Sequence, residues 1–284
     1  MIACVLALPR LLDAWRASPG PNGAPDEPSL AASQLVLGGL ELGACMSYPS
    51  GNRSANTIFL DPGHGGLDPG VVGSSGGHPV LEKDVTLAVA TKLAALLHND
   101  GFRVVMARTE DASVTKLAPA DSAMGALTST AEHRDLVARA ACANAADASV
   151  LVSIHFNGFD DPAVGGSETF YDSARTFAAE NKRLAQDLQA AVVAGLGASD
   201  RGVWTDDQLA APTLTAAGSR YDHLIELGPA ATGWMDDPSR MPGALVEPLF
   251  LTNPQEAKLA VDPAGQVRIA GALEVGLQKY FSGA

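Results

Sequence analysis

Two histidines and two glutamates lie at positions where the backbone would hold a side chain firmly. Side chains of these types can bind a metal ion or transfer a proton. His64 lies in a glycine-rich turn directly after a short apolar run, and His155 directly follows a second apolar run. Glu247 ends a third such run, whereas Glu82 opens a long segment with helical spacing of apolar residues. In an open α/β sheet, binding sites gather outside the carboxyl ends of the strands, so these four side chains are candidates for one site.

Two imidazoles and one carboxylate form a ligand set that suits zinc and leaves one coordination position open for water. Taken singly, each signal is weak. A histidine after a strand is more often a surface residue, and a glutamate at a helix start is commonly placed there by the helix dipole. The sequence has no HExxH helix and no GxSxG nucleophile turn, so any metal site must be assembled by the fold. The spacing alone does not identify the metal.

Short apolar runs alternate along the chain with longer segments of helical periodicity, which predicts an α/β fold. We expect a central twisted, mostly parallel sheet of about six strands, flanked by helices on both faces. The predicted strands are Thr57–Leu60, Arg103–Ala107, Ser149–Ile154, Ser167–Tyr171, His223–Leu227 and Ala244–Glu247. The predicted helices are Leu81–Asn99, Glu132–Ala146, Thr176–Gly195 and two C-terminal helices that begin at Pro254 and Pro263, after Asn253 and Asp262 as caps.

The first 56 residues differ in composition from the rest, so we expect an N-terminal segment at 1–56 and a catalytic domain at 57–284. Leu42-Gly43-Ala44-Cys45 is similar to a bacterial lipobox, in which the cysteine is lipidated. The alternatives are a small apolar helix, a flexible linker or an over-long gene start. The three cysteines are too few for a disulfide scaffold and do not indicate the redox compartment.

Charge and hydropathy exclude some classes of function. The formal net charge of −13 argues against nucleic acid as a partner, because phosphate backbones would be repelled. No apolar run reaches the roughly 18 residues of a membrane-spanning helix. A monomer is the default expectation.

The motifs from Thr57 to Phe281 occur in an order that resembles the zinc-dependent N-acetylmuramoyl-L-alanine amidases of the third amidase type, which include division amidases and autolysins. The shared motifs are an Asp-x-Gly-His-Gly-Gly turn, a Glu-Lys-Asp helix start, a Ser-Ile-His-x-Asn strand end, a Gly-x-Glu-Thr strand, an Arg-Gly-Val element and a Leu-Val-Glu strand end. Here they stand at Asp61–Gly66, Glu82–Asp84, Ser153–Asn157, Gly166–Thr169, Arg201–Val203 and Leu245–Glu247.

This resemblance implies that His64, Glu82 and His155 hold Zn²⁺ and that Glu247 is the catalytic carboxylate. It implies hydrolysis, by a zinc-activated water with Glu247 as general base and acid, of the amide between N-acetylmuramic acid and the stem L-alanine. The substrate would be peptidoglycan or muropeptides, which places the protein in the cell envelope or outside the cell. His78, in a glycine-rich loop near Glu82, and Asn157 are predicted to contact substrate.

Two other functions stay open at this point. One is a catalytically inactive wall-binding or regulatory protein on the same fold, and the other is a zinc hydrolase that acts on a different amide. Loss of a ligand or of Glu247 would mark the inactive protein, but all four residues are present. One departure from the family is Glu226, a carboxylate where family members often have a Leu-Arg pair. It puts substrate contacts at that segment in doubt.

Overall fold

Eight strands of the described chain form one mixed sheet in the computed structural model, which describes residues 32–50, 56–208, 213–214 and 220–283. In chain order, the strands are β1 (Ser33–Gln34), β2 (Ala44–Tyr48), β3 (Thr57–Pro62), β4 (Arg103–Arg108), β5 (Val150–Ile154), β6 (Ser167–Tyr171), β7 (Asp200–Thr205) and β8 (Gly243–Glu247). Across the sheet their order is β1-β2-β4-β3-β5-β8-β6-β7.

The four central strands run in the same direction, and this sets where the chemistry can lie. β4, β3, β5 and β8 are parallel neighbours, so β3, β5 and β8 end at the same edge. β6 is antiparallel to β8, and β7 is parallel to β6. β6 and β7 therefore end at the opposite edge of the sheet. The expected mostly parallel α/β sheet is confirmed, with eight strands instead of about six.

Five helices of the described chain cover the sheet: α1 (Glu82–Asn99), α2 (Ser129–Ala145), α3 (Ala178–Leu196), α4 (Pro254–Val261) and α5 (Pro263–Ser282). Apolar residues of α1, α3 and α5 pack on one face, and residues of α2 pack on the other. The expected caps are present: the side chains of Asn253 and Asp262 each accept a backbone hydrogen bond, and a proline follows each one. None of the helices in the described part of the chain combines the length and apolarity needed to cross a membrane.

The N-terminal part of the described chain belongs to this sheet. β2 pairs antiparallel with β4, with Met46 opposite Met106, and residues 32–284 form one compact unit. The expected boundary at residue 57 therefore falls inside the sheet. Most of the expected linker lies outside the described residues.

Cys45 is bonded to Cys142 across a sequence separation of 97 residues, which attaches β2 to α2. Cys45 is also fully buried. The lipobox interpretation is therefore wrong for this fold, because a buried, oxidised sulfur cannot carry a lipid. The composition gave no signal for this pairing, since spacing alone does not define a disulfide.

Two strand assignments differ from the structure. Residues 223–227, expected to form a strand, make turns that place Ile225 and Leu227 against the core. A short apolar run is ambiguous by periodicity alone, and here it is buried without entering a sheet. β7, which contains the Arg201-Gly-Val motif, was not expected as a strand because it lies at the sheet edge and is largely exposed.

Candidate metal centre

The turn after β3 holds His64 in an unusual backbone conformation. Its φ of +63° lies in the left-handed region, which non-glycine residues seldom adopt. A Cβ on Gly63 would lie 2.4 Å from the ring of His155, and one on Gly70 would lie 2.5 Å from Oε2 of Glu82. The glycines at these two positions therefore leave the space into which the side chains of His155 and Glu82 fit.

His64, Glu82 and His155 come together above the ends of β3 and β5. These three residues are candidate metal ligands, and we call them the metal centre. Nε2 of His64 lies 3.1 Å from Oε2 of Glu82, and Nδ1 of His155 lies 3.0 Å from Oε1 of the same carboxylate. The two ring nitrogens are 3.1 Å apart. Donor atoms of all three residues lie within 4.8 Å of one another, a spacing that a single ion can bridge.

Backbone and carboxylate contacts fix the orientation of these side chains. Nδ1 of His64 lies 2.7 Å from Oδ2 of Asp68, which leaves Nε2 directed at the centre. The carboxylate of Glu82 accepts backbone hydrogen bonds from Val71 at 2.7 Å and from Phe156 at 2.9 Å. A carboxylate behind a histidine ligand is a common way to set its tautomer and ring orientation.

The electrostatics of the metal centre favour positive charge. Burial alone would lower the pKa of His64, but its hydrogen bonds to Asp68 and Glu82 outweigh burial and raise that pKa to about 10. Burial alone would raise the pKa of Glu82, but the two imidazoles hold it well below its usual range. A cation placed between these groups would meet an ionised carboxylate.

Glu247, the last residue of β8, faces the same cleft as the metal centre. Its Cα is paired with that of Glu168 on β6, and its Oε2 atom is buried without a hydrogen-bond partner among the described residues. Burial, together with the carboxylates of Glu82 and Glu168, raises the pKa of Glu247 well above its usual value. The group is thus suited to hold a proton close to the metal centre.

Two buried arginines support the turn that carries His64. Arg139 of α2 donates to the carbonyls of Pro62 and His64 at 3.0 and 2.8 Å, and it pairs with Asp61 at 2.6 Å. Arg108 of β4 donates to the carbonyls of Pro62 and Gly63 at 3.0 and 2.9 Å. Three successive carbonyls of the turn are therefore held by guanidinium groups.

Of the two residues expected to contact substrate, one lines the cleft and the other does not. Asn157 lines the cleft of about 470 Å³ that contains the metal centre, and its amide donates to Glu168. His78 is exposed, at the start of a strand of the hairpin formed by Val72–Ser75 and His78–Leu81, and it does not line this cleft. The stretch Leu209 to Arg220 is rich in Ala, Thr and Gly, which predicts a loop near the cleft, and it lies almost wholly outside the described residues.

Glu226, the departure from the family pattern, is buried below the turn and not in the cleft. It is 3% exposed, and its carboxyl group interacts with that of Asp61. Burial and the adjacent Asp61 carboxylate raise the pKa of Glu226 well above its usual value, although Arg139 opposes the shift. The segment therefore supports the turn that carries His64.

Sequence reasoning missed Asp68, Arg108 and Glu168 as contributors to this site. Asp68 follows His64 by four residues, in a loop whose glycines gave no periodic signal. Glu168 belongs to one of the shared motifs, but its hydrogen bonds to Asn157 and Arg201 depend on the pairing of β6 with β7 and β8. Contacts of this kind become visible only when the strand order is known.

Comparison with known proteins agrees with the resemblance in the motifs. Residues 58–279 match the family model described as N-acetylmuramoyl-L-alanine amidase. The chain is 33% identical over 229 residues to the germination-specific N-acetylmuramoyl-L-alanine amidase of Bacillus subtilis, which covers 81% of each protein. It is 30% identical over 246 residues to the amidase AmiA of Salmonella typhimurium, covering 80% of this chain and 77% of that protein.

Solved structures show the same fold. The CwlD amidase of Clostridioides difficile, solved in complex with the GerS lipoprotein, is 28% identical, with a TM-score of 0.64 over 81% of this chain and 100% of that one. An N-acetylmuramoyl-L-alanine amidase of Clostridium difficile 630 is 30% identical, with a TM-score of 0.58 over 80% and 97% of the two chains. Sequence motifs, sheet topology and these matches lead to one assignment: the chain belongs to the N-acetylmuramoyl-L-alanine amidase family.

Proposed function

We propose that the protein is a zinc-dependent N-acetylmuramoyl-L-alanine amidase that hydrolyses the bond between N-acetylmuramic acid and the L-alanine of the peptide stem. The observation that carries this proposal is the position of Glu247 in the same cleft as the metal centre. A ligand set together with a buried carboxyl group is what hydrolysis of an amide by water requires. The relatives named for this activity support the choice of substrate.

The donor set fits zinc. His64 and His155 offer imidazole nitrogens and Glu82 offers a carboxylate oxygen, which is a recurrent combination at catalytic zinc sites and leaves a position open. A bound zinc ion would supply Lewis-acid polarisation and would lower the pKa of a bound water from about 16 to about 7. Asp68 would keep His64 in the tautomer that presents Nε2.

The residues of this chain then have distinct tasks. Glu247 accepts a proton from the attacking water and later donates it to the departing amino group of L-alanine, which leaves poorly without a proton. Asn157 lines the adjacent part of the cleft, where it is held by its hydrogen bond to Glu168 and contacts the substrate. Burial, with the nearby carboxylates of Glu82 and Glu168, raises the pKa of Glu247, which favours the protonated form from which that second step proceeds.

The substrate places the protein in the cell envelope or outside the cell. The disulfide between Cys45 and Cys142 supports this location, because such bonds persist mainly in oxidising compartments.

Digestion of purified peptidoglycan tests the proposal. We expect the wild-type protein to release material with new free L-alanine amino groups, detected by mass spectrometry. Glu247→Gln should bind zinc with the wild-type stoichiometry and lose activity by at least about a hundredfold, as expected when a general acid–base is removed. His64→Ala should lose activity together with the zinc ion of the metal centre. The matched control Glu180→Gln, which changes an exposed glutamate of α3, should retain both.

Other outcomes separate the alternatives. Full turnover by Glu247→Gln would disprove the role given to that residue. Stable binding of peptidoglycan by the zinc-loaded wild type, without any new free L-alanine amino group, would identify an inactive wall-binding protein. Cleavage of a different amide would identify another hydrolase on this fold.

A further inference from the structure

Two aspartates meet at the sheet edge opposite the metal centre. Asp172 directly follows the last residue of β6, and Asp206 directly follows the last residue of β7. These strands are parallel, with Tyr171 opposite Thr205, so the residues that follow the two strands leave the sheet next to each other. Because β6 runs antiparallel to β8, this edge is remote from the edge that carries Glu247. The carboxyl ends of parallel strands are again the place where polar side chains gather.

His223 supplies a third donor at this edge. Its Nδ1 atom lies 2.8 Å from Oδ2 of Asp172 and 3.5 Å from Oδ1 of Asp206. Donor atoms of the three residues lie within 4.8 Å of one another, the same limit that the metal centre meets. The two aspartates are only 0% and 1% exposed, so bulk water does not screen their charges.

Each aspartate has one oxygen fixed by the backbone and directs the other at the histidine. Oδ1 of Asp172 accepts from the backbone of Ala174 at 2.7 Å, and Oδ2 of Asp206 accepts from the backbone of Leu224 at 3.0 Å. Oδ2 of Asp172 is buried and accepts no hydrogen bond from a described residue, despite its short distance to His223. The side chains are thus held in position by contacts that leave one oxygen of each for a further partner.

Arg175, a cationic side chain near these carboxylates in the described part of the chain, does not donate a hydrogen bond to them. Arg175 interacts electrostatically with Asp172. Its guanidinium, however, donates hydrogen bonds to the backbone carbonyls of Leu227, Gly228 and Ser239. A pair of buried carboxylates costs free energy unless each is paired or bound to a metal ion.

We propose that Asp172, Asp206 and His223 form a second site that binds a divalent transition-metal ion and ties the ends of β6 and β7 to the segment 221–228. The imidazole nitrogen selects against Ca²⁺ and Mg²⁺, which take oxygen ligands, and two carboxylates with one imidazole suit Zn²⁺. The role is structural, since the site lies at the sheet edge opposite the one that carries Glu247. It is independent of the proposed amidase activity.

Zinc binding to the full chain tests this site. The protein is stripped with a chelator and titrated with ZnCl₂, and bound zinc is counted by calorimetry and by elemental analysis after gel filtration. Wild type should bind two ions per chain, and His64→Ala should retain one. Asp206→Asn should also retain one, and the combination of both changes should retain none. Asp207→Asn, which removes the same charge from the exposed neighbour, should bind as wild type does.

A stability measurement keeps the test decisive if Asp206→Asn folds poorly. In the His64→Ala background, ZnCl₂ should raise the midpoint of thermal unfolding, whereas CaCl₂ should not. Adding His223→Gln to that background should abolish the zinc-dependent rise. Unchanged zinc stoichiometry in both Asp206→Asn and His223→Gln would overturn the second site. Loss of zinc in Asp206→Asn but not in His64→Ala would instead overturn the metal centre of the proposed amidase.

Discussion

The guanidinium of Arg139 donates a hydrogen bond to the backbone carbonyl of His64 at a distance of 2.8 Å. The same group pairs with Asp61 and Asp135, and all of these side chains are buried. A helix on one face of the sheet thereby sets the backbone position of a residue at the sheet edge. The left-handed φ of His64 is maintained by these contacts and not by its own preference.

Arg139→Met is expected to lower the free energy of unfolding by about 3–5 kcal/mol, because it leaves buried carboxylates unpaired. The same change should weaken zinc binding by about 10–100-fold through the displaced turn. Denaturant unfolding and zinc titration measure these effects. The control is Arg134→Met on the same helix, whose solvent-exposed pair with Asp121 should contribute little to stability because water screens it. Equal losses in both variants would refute the supporting role of Arg139.

Gly70→Ala is expected to impair zinc binding beyond its effect on stability. The new Cβ would lie 2.5 Å from Oε2 of Glu82 and 2.6 Å from the ring of His64. Gly76→Ala is a matched control, since Gly76 has a φ of +59° against +65° for Gly70, but a Cβ at Gly76 would meet no heavy atom within 4 Å. Both variants carry similar backbone strain, so a larger Kd for zinc in Gly70→Ala alone isolates the contact.

Glu226→Gln is expected to change how stability depends on pH. Because the folded protein holds the pKa of Glu226 above its usual value, the folded state retains a proton that the unfolded state has lost. The stabilisation from this group is present at pH below its ordinary pKa of 4.5 and is lost as the pH rises towards the folded pKa. Glutamine carries no titrating proton and can donate to Asp61.

The free energy of unfolding of the variant should therefore rise relative to that of wild type as the pH increases from about 5 to about 8. The full difference is about 1.4 kcal/mol for each unit by which folding raises the pKa of Glu226. Urea unfolding at both pH values, with Glu180→Gln as an exposed control, measures the difference. A constant gap across this range would contradict the raised pKa.

Removal of the disulfide should destabilise the protein by about 2–4 kcal/mol, because it closes a long loop in the unfolded chain. Replacement of Cys45 and Cys142 by alanine, compared with wild type in denaturant unfolding, measures this. A reductant should lower the stability of wild type and leave the double variant unchanged. An equal effect of the reductant on both proteins would show that the bond does not stabilise the fold.

The sequence was sufficient for the parts of the site that lie at strand and helix ends. His64, His155 and Glu247 were placed at one edge because parallel strands end together, and the structure brings them there with Glu82. Periodicity located α1 and the strands of the sheet centre. It could not locate β2 or β7, which are short or exposed and whose pairing partners are distant in sequence.

The second site, formed by Asp172, Asp206 and His223, was even less predictable from the sequence. Asp172 and Asp206 are ordinary surface residue types by composition, and His223 lies in a segment expected to be a strand. Their proximity depends on β6 and β7 running against the central strands, a reversal that no local pattern encodes. Burial of their charges is therefore a property of the strand order, not of any motif.

The pairing of β2 with β4 bears on how this protein should be produced. A recombinant chain shortened to begin at Thr57 would lose both β2 and the partner sulfur of Cys142. The backbone of Val104, Val105 and Met106 would then form an uncovered apolar border, a feature that promotes association between copies during expression. If the residues from Ala32 onward are retained, β2 covers that border and Cys142 keeps its disulfide bond to Cys45.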